Sequence, residues 1–252
     1  MRSTKTLFGR RPHLWALAAL LAAAGAIAAA QAPPGGYPPP APPPPTAPQP
    51  APAPPPPRFV VVLDAAHGGD DPGGRLASQP EKTFTLALSV RLRSLLAARG
   101  IQVVTTRESD STIDLDRRAE LANRANAQAC ISLHASESGS GVHLFASSLA
   151  PTQPVRLPAW KTAQSASVTR SLALAGVFNS ALLHAGLSVT LGRSGIPPLD
   201  SMTCPAVAIE VAPDRTPDRT ITAGLDDPGY QARVAEALAA ALLEWKSEAR
   251  QP

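Results

Sequence analysis

From residue 58 onward the apolar positions fall into short blocks that switch between two periods. Phe59-Val-Val-Val-Leu63 is a continuous apolar run, as a strand buried on both faces requires. Glu81 to Arg99 then sets Phe84, Leu88, Leu92, Leu95 and Leu96 at helical spacing, with Pro80 suited to the first turn and Gly100 to the stop. Ile101 to Thr105 reads as the next strand, Asp114 to Asn126 as a helix, and Ala129 to Leu133 and Gly141 to Ala146 as strands. After a loop rich in Pro, Ser and Thr, the pattern predicts a helix over Ser167 to Ala185. An apolar strand over Pro205 to Val211 and a closing helix over Gly229 to Lys246 follow. Strands alternating with helices predict an α/β fold, a mostly parallel sheet flanked by helices on both faces. The 195 residues of 58–252 suit a single domain.

The first 57 residues carry no such pattern. Arg2, Lys5, Arg10 and Arg11 precede an apolar run from Leu14 to Ala30, and small residues follow at Ala28, Ala29, Ala30 and Ala32. Residues 1–32 therefore read as a signal peptide or, if uncleaved, an N-terminal membrane anchor. Arg10-Arg11 also allows export by the twin-arginine route. Residues 33–57 are a Pro-rich linker, with 16 prolines among 25 residues. An extended polyproline II spacer of that length reaches on the order of 75–80 Å. Charge changes meaning once the leader is set aside. The chain has 23 Lys+Arg against 19 Asp+Glu, and the four basic residues named above account for the whole excess. The rest is formally neutral, which gives no support for nucleic-acid binding.

Function in open α/β sheets gathers at the carboxyl ends of the strands. Three predicted strands end in groups that bind metal or move protons: Leu63-Asp64-Ala65-Ala66-His67, Ile131-Ser132-Leu133-His134 and Ala206-Val207-Ala208-Ile209-Glu210. Glu81 opens the first helix. A catalytic zinc takes three protein ligands and keeps one open position, and His67, Glu81 and His134 supply two imidazoles and a carboxylate. Such a site lowers the pKa of bound water to about 7. Glu210, on an apolar strand, is the candidate to take a proton and return it to a leaving amine. Each residue alone also has a structural reading. His67 can cap a Gly-rich turn, His134 can be a core histidine, Glu81 can complement the helix dipole, and Glu210 can pair with an arginine such as Arg107. His143 and His184, on a predicted strand and helix, read as structural. Cys130 and Cys204 lie near strand starts, away from the zinc end. They can pair in an oxidising compartment if their Cα atoms come within about 7 Å, and Cys130 equally suits a small buried hydrophobe.

From Phe59 to about Trp245 the chain resembles the zinc-dependent N-acetylmuramoyl-L-alanine amidase family, amidase-3 type. VVVLDAAHGGDDPGG is similar to its opening strand and His-Gly-Gly-x-x-x-Gly loop, and Glu81-Lys82 to the pair opening its first helix. LDRRAELANRANAQACISLHASES resembles its Arg-x-x-x-Ala-Asn helix and Ser-x-His-Ala strand, SGSGVHLF its Gly-Val strand, and CPAVAIEV its final Pro-Ala-x-x-x-Glu strand. The resemblance implies a twisted sheet, zinc on His67, Glu81 and His134, and Glu210 as catalytic residue. It implies hydrolysis of the bond between N-acetylmuramic acid and L-alanine in peptidoglycan, by a periplasmic or extracellular enzyme. Ala65-Ala66 stands where the family usually has Pro-Gly, which should alter the turn more than the ligand. Val211-Ala212-Pro213-Asp214 replaces the usual Gly-Phe and Ser-Asn, changing the wall beside Glu210. Leu199-Asp200 stands where Leu-Arg is common, leaving Arg193 as the candidate substitute cation. The segment between Ser147 and Ser167 is too short for the inhibitory helical insert of some members, which predicts an enzyme not blocked in that way. A protein activator is not specified by the sequence. A zinc peptidase acting on the stem and a degenerate amidase that binds wall without cutting are the competing readings.

Overall fold

A computed structural model describes residue 36 and residues 58–153 and 160–249. The leader and, apart from Gly36, the Pro-rich linker lie outside the described residues. Six strands form one sheet: β1 (Val60–Ala65), β2 (Gln102–Thr105), β3 (Ala129–Ala135), β4 (Val142–Ser147), β5 (Val189–Ser194) and β6 (Ala206–Val211). Their spatial order is β2-β1-β3-β6-β4-β5. β2, β1, β3 and β6 run parallel; β4 pairs antiparallel with β6, and β5 parallel with β4. β7 (Asp214–Arg215) and β8 (Ile221–Ala223) make a separate two-stranded ribbon.

The helices are α1 (Glu81–Ala97), α2 (Leu115–Arg124), α3 (Val168–His184) and α4 (Pro228–Glu248). Each forms where its local chemistry allows. Asp114 caps α2 by accepting from the Arg117 N–H at 2.7 Å, and Asp227 caps α4 through the Tyr230 N–H at 2.8 Å, with Pro228 in the first turn. α1, α3 and α4 bury Phe84, Leu88, Leu92, Leu174, Phe178, Leu182, Leu238 and Leu242 against one face of the sheet. The other face is covered more sparsely. Ala119 and Ala122 of α2, with Leu199 and Met202, pack on Val62, Cys130, Ala206 and Ala208. Alternation along the strands then brings Asp64, Ser132, His134 and Glu210 to the same face, nearer the carboxyl ends. That half-covered face is where polar chemistry has room.

Several features depart from the sequence pattern, the β7–β8 ribbon among them. β5 was not signalled, because this edge strand is half exposed, with Leu191 56% exposed, and carries no apolar run. The loop after β4 contains a 3-10 helix over Trp160–Ala166, while residues 154–159 lie outside the described residues. Cys130 and Cys204 are joined by a disulfide, with Cα atoms 6.0 Å apart.

Candidate metal centre and catalytic cleft

His67 follows β1 in a left-handed backbone conformation, φ 62°, which costs a non-glycine residue on the order of 1 kcal/mol. Two buried arginines hold the turn in that shape. Arg107 donates from Nε to the Ala65 carbonyl at 2.9 Å and from Nη2 to Ala66 at 3.1 Å and Lys82 at 2.7 Å. Arg118 donates from Nη1 to the Ala65 carbonyl at 2.7 Å and from Nη2 to that of His67 at 2.6 Å. The Thr85 hydroxyl donates to Ala66 as well, at 2.8 Å. Three consecutive carbonyls are thus fixed from below.

Glu81 opens α1 and is buried. Its two oxygens face two different histidines: Oε2 lies 3.1 Å from His67 Nε2, and Oε1 lies 3.0 Å from His134 Nδ1. The N–H groups of Gly74 and Ala135 donate to the same carboxylate at 2.8 and 3.1 Å. Burial by itself would raise the Glu81 pKa. The hydrogen bonds from His134, His67 and the two backbone donors outweigh it and hold the carboxyl well below its ordinary range. The hydrogen bond to Glu81 holds the His67 imidazole above its ordinary value, with Asp71 acting in the same direction against burial.

Outer partners aim both rings. Asp71 Oδ2 lies 2.8 Å from His67 Nδ1, so Nδ1–H donates there and Nε2 is left facing Glu81. On the other ring, His134 Nε2 lies 3.3 Å from the Ser132 hydroxyl, which donates to Asp64 Oδ2 at 2.9 Å. Asp64 is itself buried and accepts from Thr106 Oγ1 at 2.8 Å and Arg118 Nη1 at 2.7 Å. The chain Arg118–Asp64–Ser132 therefore turns His134 so that Nδ1 is the inward nitrogen.

The ligand atoms of His67, Glu81 and His134 all lie within 4.8 Å of one another. Bonds of about 2.0–2.2 Å to a shared zinc ion need spacing of this order, and two imidazoles with one carboxylate are a suitable donor set. The residues fit a divalent metal. One strand away, Glu210 stands opposite His134 in the β3–β6 register. Both line a cleft of about 260 Å³ with Phe145, Ser194, Ile196 and Ala208. Of the four residues singled out in the sequence, His67, Glu81 and His134 come together, and Glu210 stands beside His134 across the β3–β6 pair.

Several expectations need correction. Arg107 does not pair with Glu210; its donors are spent on the β1–α1 turn. Arg193, the candidate substitute cation, is exposed and donates from Nε and Nη2 to the carbonyls of Ser147 and Leu149 at 3.0 and 2.7 Å. Asp200 accepts from the Ser147 hydroxyl at 2.6 Å. The altered residues after Glu210 pack into the interior. Val211 and Ala212 are buried, the Tyr230 hydroxyl donates to the Ala212 carbonyl at 2.7 Å, and Phe145, Ser194 and Ile196 supply the cleft wall. His184 is exposed, with Nδ1 2.7 Å from the Ser180 carbonyl on its own helix. His143 is not merely structural in position: its Nδ1 lies 3.7 Å from Glu210 Oε1. Sequence reading also passed over Asp71, Asp64, Ser132 and Arg118 as a supporting shell. Asp71 at i+4 from His67 is a local signal, and Arg118 and Ser132 are the leading residues of the Arg-x-x-x-Ala-Asn and Ser-x-His-Ala pieces.

Known proteins resemble this chain. The N-acetylmuramoyl-L-alanine amidase AmiA of Escherichia coli is 44% identical over 78 residues, 30% of this chain and 27% of that protein. The sporulation-specific N-acetylmuramoyl-L-alanine amidase of Bacillus subtilis is 33% identical over 81 residues, 31% of this chain and 32% of that protein. These matches span at most about a third of the curated relatives' length. Among solved structures, the catalytic domain of CwlV, an N-acetylmuramoyl-L-alanine amidase from Bacillus (Paenibacillus) polymyxa, superposes with a TM-score of 0.58 at 26% identity. That superposition covers 75% of this chain and 98% of the other. The N-acetylmuramoyl-L-alanine amidase family itself matches residues 61–244, most of the chain and nearly all of its folded part, and the chain belongs to that family.

Proposed function

We propose that residues 58–252 form a zinc-dependent amidase that hydrolyses the amide bond between N-acetylmuramic acid and L-alanine in peptidoglycan. The observation that carries this reading is the convergence of His67, Glu81 and His134 within 4.8 Å, with Glu210 in the adjacent strand register beside the cleft. His67 Nε2, His134 Nδ1 and a Glu81 oxygen would hold the ion. Zinc so held supplies Lewis-acid polarisation of a carbonyl and a nucleophile at neutral pH. The chain's own groups do the rest. Asp71 and Ser132 would accept the outer N–H of each ring, so that the inward nitrogens, which face Glu81 here, could turn their lone pairs to the ion. The Glu210 carboxylate takes the proton of the attacking water and returns it to the departing amide nitrogen, so the amine leaves neutral. Ala208, Phe145 and Ile196 give the cleft an apolar wall against which a substrate could pack.

Export belongs to the same proposal. The basic head and apolar run over 1–32 support a signal peptide or anchor, and the Cys130–Cys204 disulfide supports a life in an oxidising compartment such as the periplasm or cell exterior. The Pro-rich linker over 33–57 would then set the domain's reach toward an insoluble substrate.

The test is a paired digestion. Purified peptidoglycan is treated with the wild-type chain and with Glu210→Ala, fragments are identified by mass, and bound zinc is measured in both. Intact stem peptides beginning with L-alanine from the wild type, and a variant that keeps zinc without cutting, are the expected results. A wild type that holds no zinc, or binds wall and leaves that bond intact, would overturn the proposal in favour of a binding module. Cleavage within the stem would make it a peptidase.

A further inference from the structure

Register decides which side chains stand side by side across a sheet, and one such row crosses the proposed site. His134 stands opposite Glu210 in the β3–β6 pairing, and Glu210 stands opposite His143 in the β6–β4 pairing. Three neighbouring strands therefore present imidazole, carboxylate and imidazole on one face. His134 belongs to the metal-binding trio. His143 has no part in it, yet its Nδ1 lies 3.7 Å from Glu210 Oε1.

The His143 ring is closely fitted. Gly139, at φ 85°, lies against it, and a Cβ there would meet ring atoms Cε1 and Nε2. Phe145 lies beyond, its ring centroid 6.4 Å away. The Nε2 atom is buried and has no hydrogen-bond partner among the described residues. A neutral imidazole carries one N–H and one bare nitrogen. A proton on Nε2 would be a buried donor without an acceptor, and it would aim the bare Nδ1 lone pair at a carboxylate. A proton on Nδ1 faces Glu210 instead and leaves only an acceptor unpaired, the more readily tolerated case. The 3.7 Å separation is longer than a hydrogen bond. Catalytic contacts in ligand-free sites are commonly long and tighten when substrate binds, and the Glu210 side chain, 33% exposed, has room to turn.

We propose that His143 is a positioning residue for Glu210: its Nδ1–H holds Oε1, so that Oε2 is the oxygen presented toward His134 and the cleft to carry the proton. The proposal rests on Glu210 as the proton carrier. His143 itself gives up no proton in the cycle; it fixes which way the carboxylate points.

The full chain is compared with His143→Leu, which keeps apolar bulk and removes the donor, and His143→Asn, which keeps a donor near the place of Nδ1. On purified peptidoglycan, kcat of the leucine variant should fall on the order of 10-fold, as loss of one hydrogen bond to a charged group implies. KM and bound zinc should stay within about twofold of wild type, because neither ground-state binding nor the ligands are touched. The asparagine variant should recover most of the loss. A leucine variant with wild-type kcat, or an asparagine variant no better than leucine, overturns the proposal. A second readout needs no turnover: nitrogen-15 correlation spectra of the histidine rings should show the Nδ1–H tautomer at His143, with its resonance moved by Glu210→Gln. An Nε2–H tautomer, or a resonance blind to that substitution, also overturns it. If the wild type fails to cut peptidoglycan at all, the proposed function falls, and the spectra still decide whether His143 is bonded to Glu210.

Discussion

Replacing Arg118 with leucine tests how the proposed metal-binding face is held. The Arg118 side chain is 4% exposed and that of Asp64 is 1% exposed, so their 2.7 Å ion pair is buried. Leucine would leave the Asp64 carboxylate with only the hydroxyls of Thr106 and Ser132, and would strip the donors from the carbonyls of His67 and Ile113. Breaking a buried pair by removing one partner costs about 3–5 kcal/mol. Against a total stability of about 5–15 kcal/mol the domain should still fold, with a melting temperature lower by on the order of 8–15 °C. The adjacent Arg117 is the internal control. It pairs with Glu120 on the same helix and is 48% exposed, so its replacement by leucine should cost about 0–1 kcal/mol. Both variants should be unfolded in chelator, because bound metal stabilises the folded state by mass action and would blur the comparison. Zinc titration of the same proteins should then show affinity weakened about 10–100-fold in Arg118→Leu alone, since the His67 turn and the Asp64–Ser132–His134 chain lose their anchor. Equal stability of the two variants in chelator, within about 1 kcal/mol, would refute the argument that burial and not charge pairing as such makes Arg118 matter.

Three further outcomes are expected. Reducing the Cys130–Cys204 disulfide, which spans 74 residues of sequence, should destabilise the domain by about 2–4 kcal/mol while leaving bound zinc unchanged, because it joins the sheet at the end away from the metal residues; calorimetry with and without reductant checks this, and loss of zinc on reduction would count against it. Gly73→Ala should lower zinc affinity by at least about 10-fold with the fold kept. Gly73 has φ 68°, and a Cβ there would sit 2.5 Å from His67 Cδ2 and 2.8 Å from Glu81 Oε2; unchanged zinc binding by dialysis would show that the turn gives way instead. Asp110 accepts from Lys82 Nζ and the Gly69 N–H, both at 2.7 Å, and the Lys82 bond is the main reason its pKa is depressed. A depressed folded-state value gives stability that is present above the unfolded value of about 3.9 and lost as pH falls through the folded one. Asp110→Asn should therefore melt below wild type at neutral pH, and the gap should close in acid; a gap that persists there would contradict the pairing.

Much of this protein could be read along the chain because its signals are local. β1 and β6 are buried on both faces and so appear as unbroken apolar runs. α1 and α4 show their buried stripes at helical spacing. His67, His134 and Glu210 stand at or near strand ends, and Glu81 at a helix start, positions that follow from the element pattern alone. β5 escaped notice for the complementary reason: an exposed edge strand needs no apolar run, so it leaves no periodic trace.

What only the tertiary structure decided concerns residues far apart in sequence. Cys130 and Cys204 were open to pairing, and their distance depended on β3 and β6 becoming neighbours. Arg107 looked as available to Glu210 as to any other partner until the fold set it beneath the β1–α1 turn. His143 read as an ordinary strand residue, and its place beside Glu210 follows from β4 reversing direction against β6. Periodicity sets which face a side chain takes within its own element. Which side chains then meet is set by strand order and register, fixed when the whole core packs, and no short stretch of chain contains that information.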